Sequence, residues 1–207
     1  MTKPLVLASA SPRRKELLSK EGIEIEVVPS NLEENLFPGE GPEDFALRVA
    51  QEKALFVAFK HPGQWVLGAD TIVVVPVEAG RVVLGKPADS EEAIGMLQTL
   101  SGKTHEVITA VALVQVVLTP PYEQGQGLVH RVRSESFHVT TEVAFRDLSD
   151  REIRDYVATG EPMDKAGAYG IQGLGGNLVA AVQGSYTNVV GLPVEEVLSR
   201  LRSLKIL

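Results

Sequence analysis

The chain contains no cysteine. That excludes disulfides and thiolate chemistry, and it is compatible with a reducing compartment. Aromatic residues are scarce, at 5% of the sequence. There is no basic excess either: 27 acidic residues against 20 Lys and Arg give a net charge of −7. A nucleic-acid-binding module needs a basic field with interleaved aromatics, so these two shortages disfavour one. No apolar stretch reaches the roughly 20 residues of a membrane span. The first residues lack the pattern of a secretory signal. His61, His105, His130 and His138 show no metal-ligand spacing, so any metal is expected to be a hard cation on oxygen ligands. Repeats, low-complexity tracts and linkers are also missing.

What is present is 207 residues of ordinary globular composition, enough to bury a core as one large domain or two lobes. Leu5 to Ala8 reads as a buried strand, and Ser11-Pro12 as a helix start ending near Gly22. Ile23 to Val28 reads as a strand. A polar loop follows, then a helix over Pro42 to Lys60 with Phe45, Val49, Leu55 and Phe59 among its apolar positions. Trp65 to Leu67 and Ile72 to Val75 are strand material around Gly68-Ala69-Asp70-Thr71. Glu78-Ala79-Gly80 predicts a turn into Arg81 to Leu84, and Ser90 a helix cap. Glu106 to Val117 and Val129 to Phe145 predict long strands around an exposed loop, Leu118 to Leu128. Ser149 to Glu152 is a capping box. A strand at Leu178 to Val182 and a helix at Pro193 to Leu204 close the chain. The expectation is an α/β fold, a mixed twisted sheet flanked by helices, with two lobes sharing one core.

Several stretches carry chemistry. Arg13 and Arg14 fall in the first turn of the first helix, the wrong end for cations. An anion there would resolve the conflict: backbone N–H groups, the Ser9 and Ser11 hydroxyls and two guanidinia could converge on phosphate oxygens. Two solvated arginines are the plainer alternative. Asp70 sits inside a nearly unbroken apolar run, so it needs a cation, a metal or donors. At the end of a buried strand it could bind Mg²⁺ or accept a proton from water; in a tight turn it would be structural. Glu33 and Glu34 point opposite ways on an extended chain, so at most one is expected to face a site. Lys53 and Lys86 could each meet a phosphate or simply be surface residues. Ser101-Gly102-Lys103-Thr104 is not a phosphate loop, because Leu97 stands where a glycine is required. In Asp164 to Gly173, Tyr169 could pack on a base and Gln172 could read a base edge.

Taken in order, "LASASPRR", Glu33-Glu34, "QEKA", "LGADTIV", "GKP", "LSGKTHEVITAV", "EPMDKAGAYGIQG" and "GLPVEEV" resemble the Maf family of nucleotide pyrophosphatases across nearly the whole chain. The resemblance implies a Maf-like domain over 1–207 with two lobes and a cleft between them. It also implies a divalent metal (Mg²⁺, Mn²⁺ or Co²⁺), a small-molecule nucleoside triphosphate as partner and a cytoplasmic location. The implied reaction is hydrolysis of dTTP or UTP, with modified pyrimidine nucleotides as further candidates, to the monophosphate and pyrophosphate. Asp70 matches the proton acceptor. Ser9, Arg13, Arg14, Lys53 and Lys86 match the phosphate-binding groups, and Glu34 with Asp70 the metal end. Arg13, Thr71 and Gln172 match the pattern of the branch acting on dTTP and UTP. A nucleotide-binding regulator of septum formation without turnover is the alternative. A homodimer is the commonest closed assembly and is the expectation for oligomeric state.

Overall fold

The structure is a computed structural model that describes residues 3–78, 80–119 and 129–207. The predicted loop from residue 120 to 128, Ala79 of the predicted turn and the His130 side chain lie outside the described residues. The seven strands are β1 (Leu5–Leu7), β2 (Ile25–Val27), β3 (Trp65–Val77), β4 (Gly80–Leu84), β5 (Thr104–Thr119), β6 (Val129–Phe145) and β7 (Val179–Gln183). The helices are α1 (Pro12–Lys20), α2 (Pro42–Ala58), α3 (Ser90–Leu100), α4 (Asp150–Ala158), α5 (Tyr186–Val190) and α6 (Val194–Ser203). Three short 3₁₀ turns occupy 161–178.

The strands form one mixed sheet in the order β2-β1-β3-β5-β6-β7, with β4 paired to β3. β1 runs parallel to both β2 and β3, in register Leu5 with Ile25 and Val6 with Val66. Parallel neighbours require crossovers, and α1 and α2 lie in the connections from β1 to β2 and from β2 to β3. β4 is antiparallel to β3 and β7 antiparallel to β6. The mixed sheet with flanking helices is the architecture expected from the sequence.

The chain divides into two compact units, Met1–Asp70, Ala110–His138 and Val194–Leu207 in the first, Thr71–Thr109 and Val139–Pro193 in the second. In the first, Val6, Leu7, Leu18, Val66, Leu67, Leu113 and Leu201 are buried. The α2 side facing this core carries Phe45, Ala46, Val49, Ala50, Ala54, Val57 and Ala58. Leu55 and Phe59, expected among its apolar positions, are exposed. The core of the second unit joins α3, α4 and the sheet through Val73, Leu97, Leu100, Val107, Val143, Ile153 and Tyr169.

Local chemistry sets the ends of these elements. α1 begins at Pro12 with Ser11 as N-cap, although the Ser11 hydroxyl makes no capping bond. α4 carries the full predicted capping box: the Ser149 hydroxyl accepts from the Glu152 N–H, and Glu152 returns the bond to the Ser149 N–H. α3 starts one residue earlier than the serine suggested: Asp89 is the cap, accepting from Glu92 N–H at 2.9 Å, and Ser90 is the first helical residue. The larger departure concerns Asp70. It lies neither in a turn nor at a strand end but in the middle of the 13-residue strand β3.

Candidate functional site

A glycine in a long strand usually marks a close approach, and Gly68 of β3 does so. A Cβ there would run into the Ala50 carbonyl and the Ala54 backbone and side chain of α2. With three small groups at the contact, α2 lies tight against β3. Asp70, two residues on, projects from the same face of the strand as Gly68. Lys53, between Ala50 and Ala54 on the helix, therefore meets it. The Lys53 ammonium donates to Asp70 Oδ1 at 2.8 Å and stands 2.6 Å from Glu34 Oε1. Asp70 is 4% exposed and Lys53 7%, so the ion pair is shielded from water. Asp70 Oδ2, also buried, has no hydrogen-bond partner.

Arg14 is also a buried cation of this unit, 9% exposed. One of its guanidinium nitrogens donates to Ser9 Oγ at 3.0 Å. The Ser11 N–H donates to the same oxygen at 3.2 Å. With two bonds accepted, the Ser9 hydroxyl keeps its proton to donate. Burial lowers the Arg14 pKa, the nearby Asp70 and Glu34 charges oppose that shift, and neighbouring Arg13 adds to it. Arg13 is half-buried beside it, and α1 has no acidic residue in its first turn. Three of the charges here are buried, Arg14, Lys53 and Asp70, and Glu34 is exposed beside them. The N–H groups that open α1, with no acidic residue in its first turn, favour an anion there.

The acids also fit a hard divalent cation. Among the described residues no cluster of three or more His, Cys, Asp or Glu could hold a metal ion by itself. Mg²⁺ is commonly held by one or two carboxylates, with waters and substrate phosphates completing its shell. Asp70 and Glu34 share the Lys53 ammonium, and the orphaned Oδ2 offers an anionic oxygen to a cation or to the water such a cation carries. The two-carboxylate donor set therefore fits.

The first unit brings together Ser9, Arg14, Glu34, Lys53 and Asp70, with Arg13 on the same helical turn as Arg14. Glu34, not Glu33, is the acid that meets Lys53. Lys86, Thr71 and Gln172 belong to the second unit. Lys86 and Gln172 are exposed there, and Thr71 is half-buried. Tyr169 does not face a base. It is 5% exposed in the core, its hydroxyl 2.8 Å from His105 Nε2 and its ring edge-on to Phe145. Burial pushes its pKa well above the usual phenol value.

Sequence reading missed the neutral buried cluster of the second unit. Thr71 Oγ1 lies 2.9 Å from Thr109 Oγ1, and Thr109 donates to the Asn188 carbonyl at 2.9 Å. Asn188 Nδ2 donates to the Val107 carbonyl and to Thr141 Oγ1, each at 3.0 Å. Thr109, Thr141 and Asn188 are all 0% exposed. The one available signal was polar residues inside apolar strand runs. Glu161 was also missed. It accepts from the Tyr156 hydroxyl and from Leu174 and Gly175 N–H groups, pinning the glycine-rich segment after Gln172.

Comparison with known proteins places these features in a family. A profile described as Maf-like protein matches residues 4–204. A dTTP/UTP pyrophosphatase of Geobacter metallireducens is 48% identical over 97% of this chain and 95% of its own. One from Anaeromyxobacter dehalogenans is 49% identical over 98% and 94%. One from Desulfotalea psychrophila is 45% identical over 96% and 93%. Among solved structures, a HAM1 protein from Coxiella burnetii aligns over 97% of this chain and 98% of that one, at 17% identity and a TM-score of 0.48.

Proposed function

The chain belongs to the Maf-like protein family, and from that premise we propose that it hydrolyses dTTP and UTP to the nucleoside monophosphate and pyrophosphate. The observation that carries the chemistry is Asp70: a carboxylate buried mid-strand, one oxygen held by Lys53 and the other without a partner. Such an oxygen can take a proton from water without breaking a bond it already makes.

In the proposed step, a water oxygen forms a bond to the α-phosphorus. The bond from that phosphorus to the α–β bridging oxygen breaks, and pyrophosphate leaves with the electron pair. The water proton passes to Asp70 Oδ2. Lys53 keeps Oδ1 fixed, so the acid is aimed before substrate arrives. Arg14, held in place by Ser9, and Arg13 meet the negative oxygens of the triphosphate, and the N–H groups opening α1 add their partial positive charge. Bidentate guanidinium contacts suit phosphate geometry. Glu34 and Asp70 would flank a divalent cation, Mg²⁺, Mn²⁺ or Co²⁺, with Asp70 Oδ2 turned to the water beside it. When bound, that ion would offset charge on the triphosphate and lower the pKa of its water.

The resemblance supports Lys86 as a further phosphate contact, and Thr71 and Gln172, with Arg13, as the residues that sense the base. They are carried into the proposal on their match to the family pattern. A cytoplasmic setting and a homodimer belong to the same proposal; among the described residues no helix is long and apolar enough to cross a membrane.

The test is direct. Purified protein is incubated with dTTP or UTP and Mg²⁺, and the products are separated. Stoichiometric monophosphate and pyrophosphate support the proposal. Tight nucleotide binding without either product, with each candidate metal supplied, contradicts it and favours a nucleotide-binding regulator.

A further inference from the structure

Glu34 reaches the Lys53 ammonium from the connection between β2 and α2, and apolar burial does little to hold that connection. Residues 28–37 belong to no helix or strand, and residues 33–39 are all exposed. Two of its large apolar side chains, Leu36 and Phe37, are 48% and 54% exposed. A segment that buries so little lies at the low end of local stability. Ordering its backbone costs entropy that burial does not return. Yet Glu34 Oε1 stands 2.6 Å from Lys53 Nζ, so polar contacts must offset the cost.

Arg48 supplies such contacts. It stands on α2, as Lys53 does, so one rigid helix carries both the grip and the group that Glu34 meets. Its Nε donates to Glu40 Oε1 at 2.6 Å and its Nη2 to Glu40 Oε2 at 2.8 Å, the paired fork that suits a carboxylate. Nη2 also donates to the Asn35 carbonyl at 2.8 Å, and Nη1 donates to Glu52 Oε1 at 3.2 Å. The guanidinium carbon lies 4.0 Å from the centre of the Phe37 ring, a cation–π contact. Glu40 passes the grip on: its Oε2 accepts from the Phe37 N–H at 3.1 Å, and its own N–H donates to the Phe37 carbonyl at 3.0 Å. Asn35, Phe37 and Glu40 are thus fixed to one side chain, and Asn35 is the residue next to Glu34. The Glu40 and Arg48 side chains are 12% and 23% exposed, so solvent screens this pair less than an open surface ion pair. Upstream of Glu34, the Val28 N–H is tied to the Leu7 carbonyl at 3.0 Å.

We propose that Arg48 is a positioning residue that holds Glu34 at the Lys53–Asp70 pair by gripping the loop that carries it. None of the residues it contacts is assigned to substrate, so its effect on turnover passes through Glu34. This rests on the proposed function, in which Glu34 flanks the divalent cation. Groups that orient a metal-site carboxylate govern metal affinity as well as activity. Arg48→Lys keeps the charge and the stem but loses the fork, so it cannot hold both Glu40 oxygens and the Asn35 carbonyl together.

The experiment places Arg48→Lys in the unaltered protein and in Glu34→Gln. It follows kcat/KM on UTP, Mn²⁺ affinity without nucleotide from the paramagnetic resonance of the free ion, and amide exchange over residues 33–40. In the unaltered background Arg48→Lys should lower kcat/KM and Mn²⁺ affinity about tenfold each. Exchange over 33–40 should quicken while the middle of α2 stays protected. In Glu34→Gln the same substitution should quicken exchange again, yet change kcat/KM and Mn²⁺ affinity by less than about twofold, because the residue it acts through is already gone. Equal losses in both backgrounds would mark a general structural effect and overturn the inference. Faster exchange with kcat/KM and Mn²⁺ affinity both unchanged would overturn it too. Glu40→Ala breaks the same grip from the loop side and should reproduce the pattern; unaltered values there would sink the inference even if Arg48→Lys does not fold. The metal readout keeps the two readings separate. A protein that released no pyrophosphate, but lost Mn²⁺ affinity on Arg48→Lys only when Glu34 was present, would sink the proposed reaction and leave this grip standing.

Discussion

Asp70 and Thr71 are consecutive residues of one strand, yet they anchor polar clusters of opposite character in the two units. Around Asp70 every partner is ionic: Lys53 and Glu34, with Arg14 close enough to feel both acids. Around Thr71 the partners are neutral: Thr109, Thr141, Asn188 and carbonyl oxygens. Alternation along a β-strand sends consecutive side chains to opposite faces. A triphosphate carries charge, which charges recognise at low precision and high strength. A base carries none, so only the direction of individual hydrogen bonds can distinguish one from another. The charged cluster fits the proposed chemistry.

The sharpest way to break the comparison is at the acid itself. Asp70→Asn should reduce turnover of UTP by about 100-fold or more, the usual scale for a general base, while UMP affinity and the UTP-to-CTP ratio stay near their normal values. Steady-state kinetics with calorimetry on the same preparation checks this. Unchanged turnover would remove Asp70 from the proposed role.

A second change attacks the geometry without touching a charge. Gly68→Ala places a methyl group against the Ala50 carbonyl and Ala54. α2 must move off β3, separating Lys53 from Asp70. The expected destabilisation is about 3 kcal/mol, the upper range for overpacking a core, accompanied by lost turnover. Denaturant unfolding alongside a turnover assay reads both. Full stability would mean that the helix does not approach the strand as closely as described.

The third concerns pH and the second unit. Burial lowers the His105 pKa from 6.5 to about 4, so the folded protein keeps this ring neutral. Between those values the unfolded chain binds a proton that the folded chain refuses, so stability falls as pH drops from 6.5 toward 4. The loss is of order 3 kcal/mol at the low end. Urea midpoints across that range should slope accordingly, and His105→Gln should flatten this part of the profile. The smallest effect is expected at Ser149→Ala, which removes the α4 cap and should cost about 1 kcal/mol. A melting curve would show the shift, with turnover and base preference both unmoved.

Much of the charged cluster was legible because its signals are local. The Ser-Pro helix start put Arg13 and Arg14 in the first turn of α1. A lone acid in an apolar run marked Asp70 as needing a partner, and the extended Glu33-Glu34 pair allowed at most one of the two to face a site. What could not be read was set by distant contacts. Gly68 looks like an interruption in a strand, and only the arrival of α2 shows it as a contact point. Tyr169 sits in a glycine-rich stretch and looks available to a ligand, but His105, 64 residues away, claims its hydroxyl. Leu55 and Phe59 suit the apolar face of a helix by residue type, but their angular positions fall outside the buried stripe. The hydrogen bonds that link Thr71 to Thr109 and Thr109 to Asn188 span separations of 38 and 79 residues, and no spacing rule brings them together.

The most direct test of the account is to hydrolyse UTP in ¹⁸O-labelled water and locate the label by mass spectrometry. If water attacks the α-phosphorus with Asp70 accepting its proton, the label enters UMP and the pyrophosphate leaves unlabelled. Label in the pyrophosphate would place the attack on the β-phosphorus and contradict the mechanism built on this site.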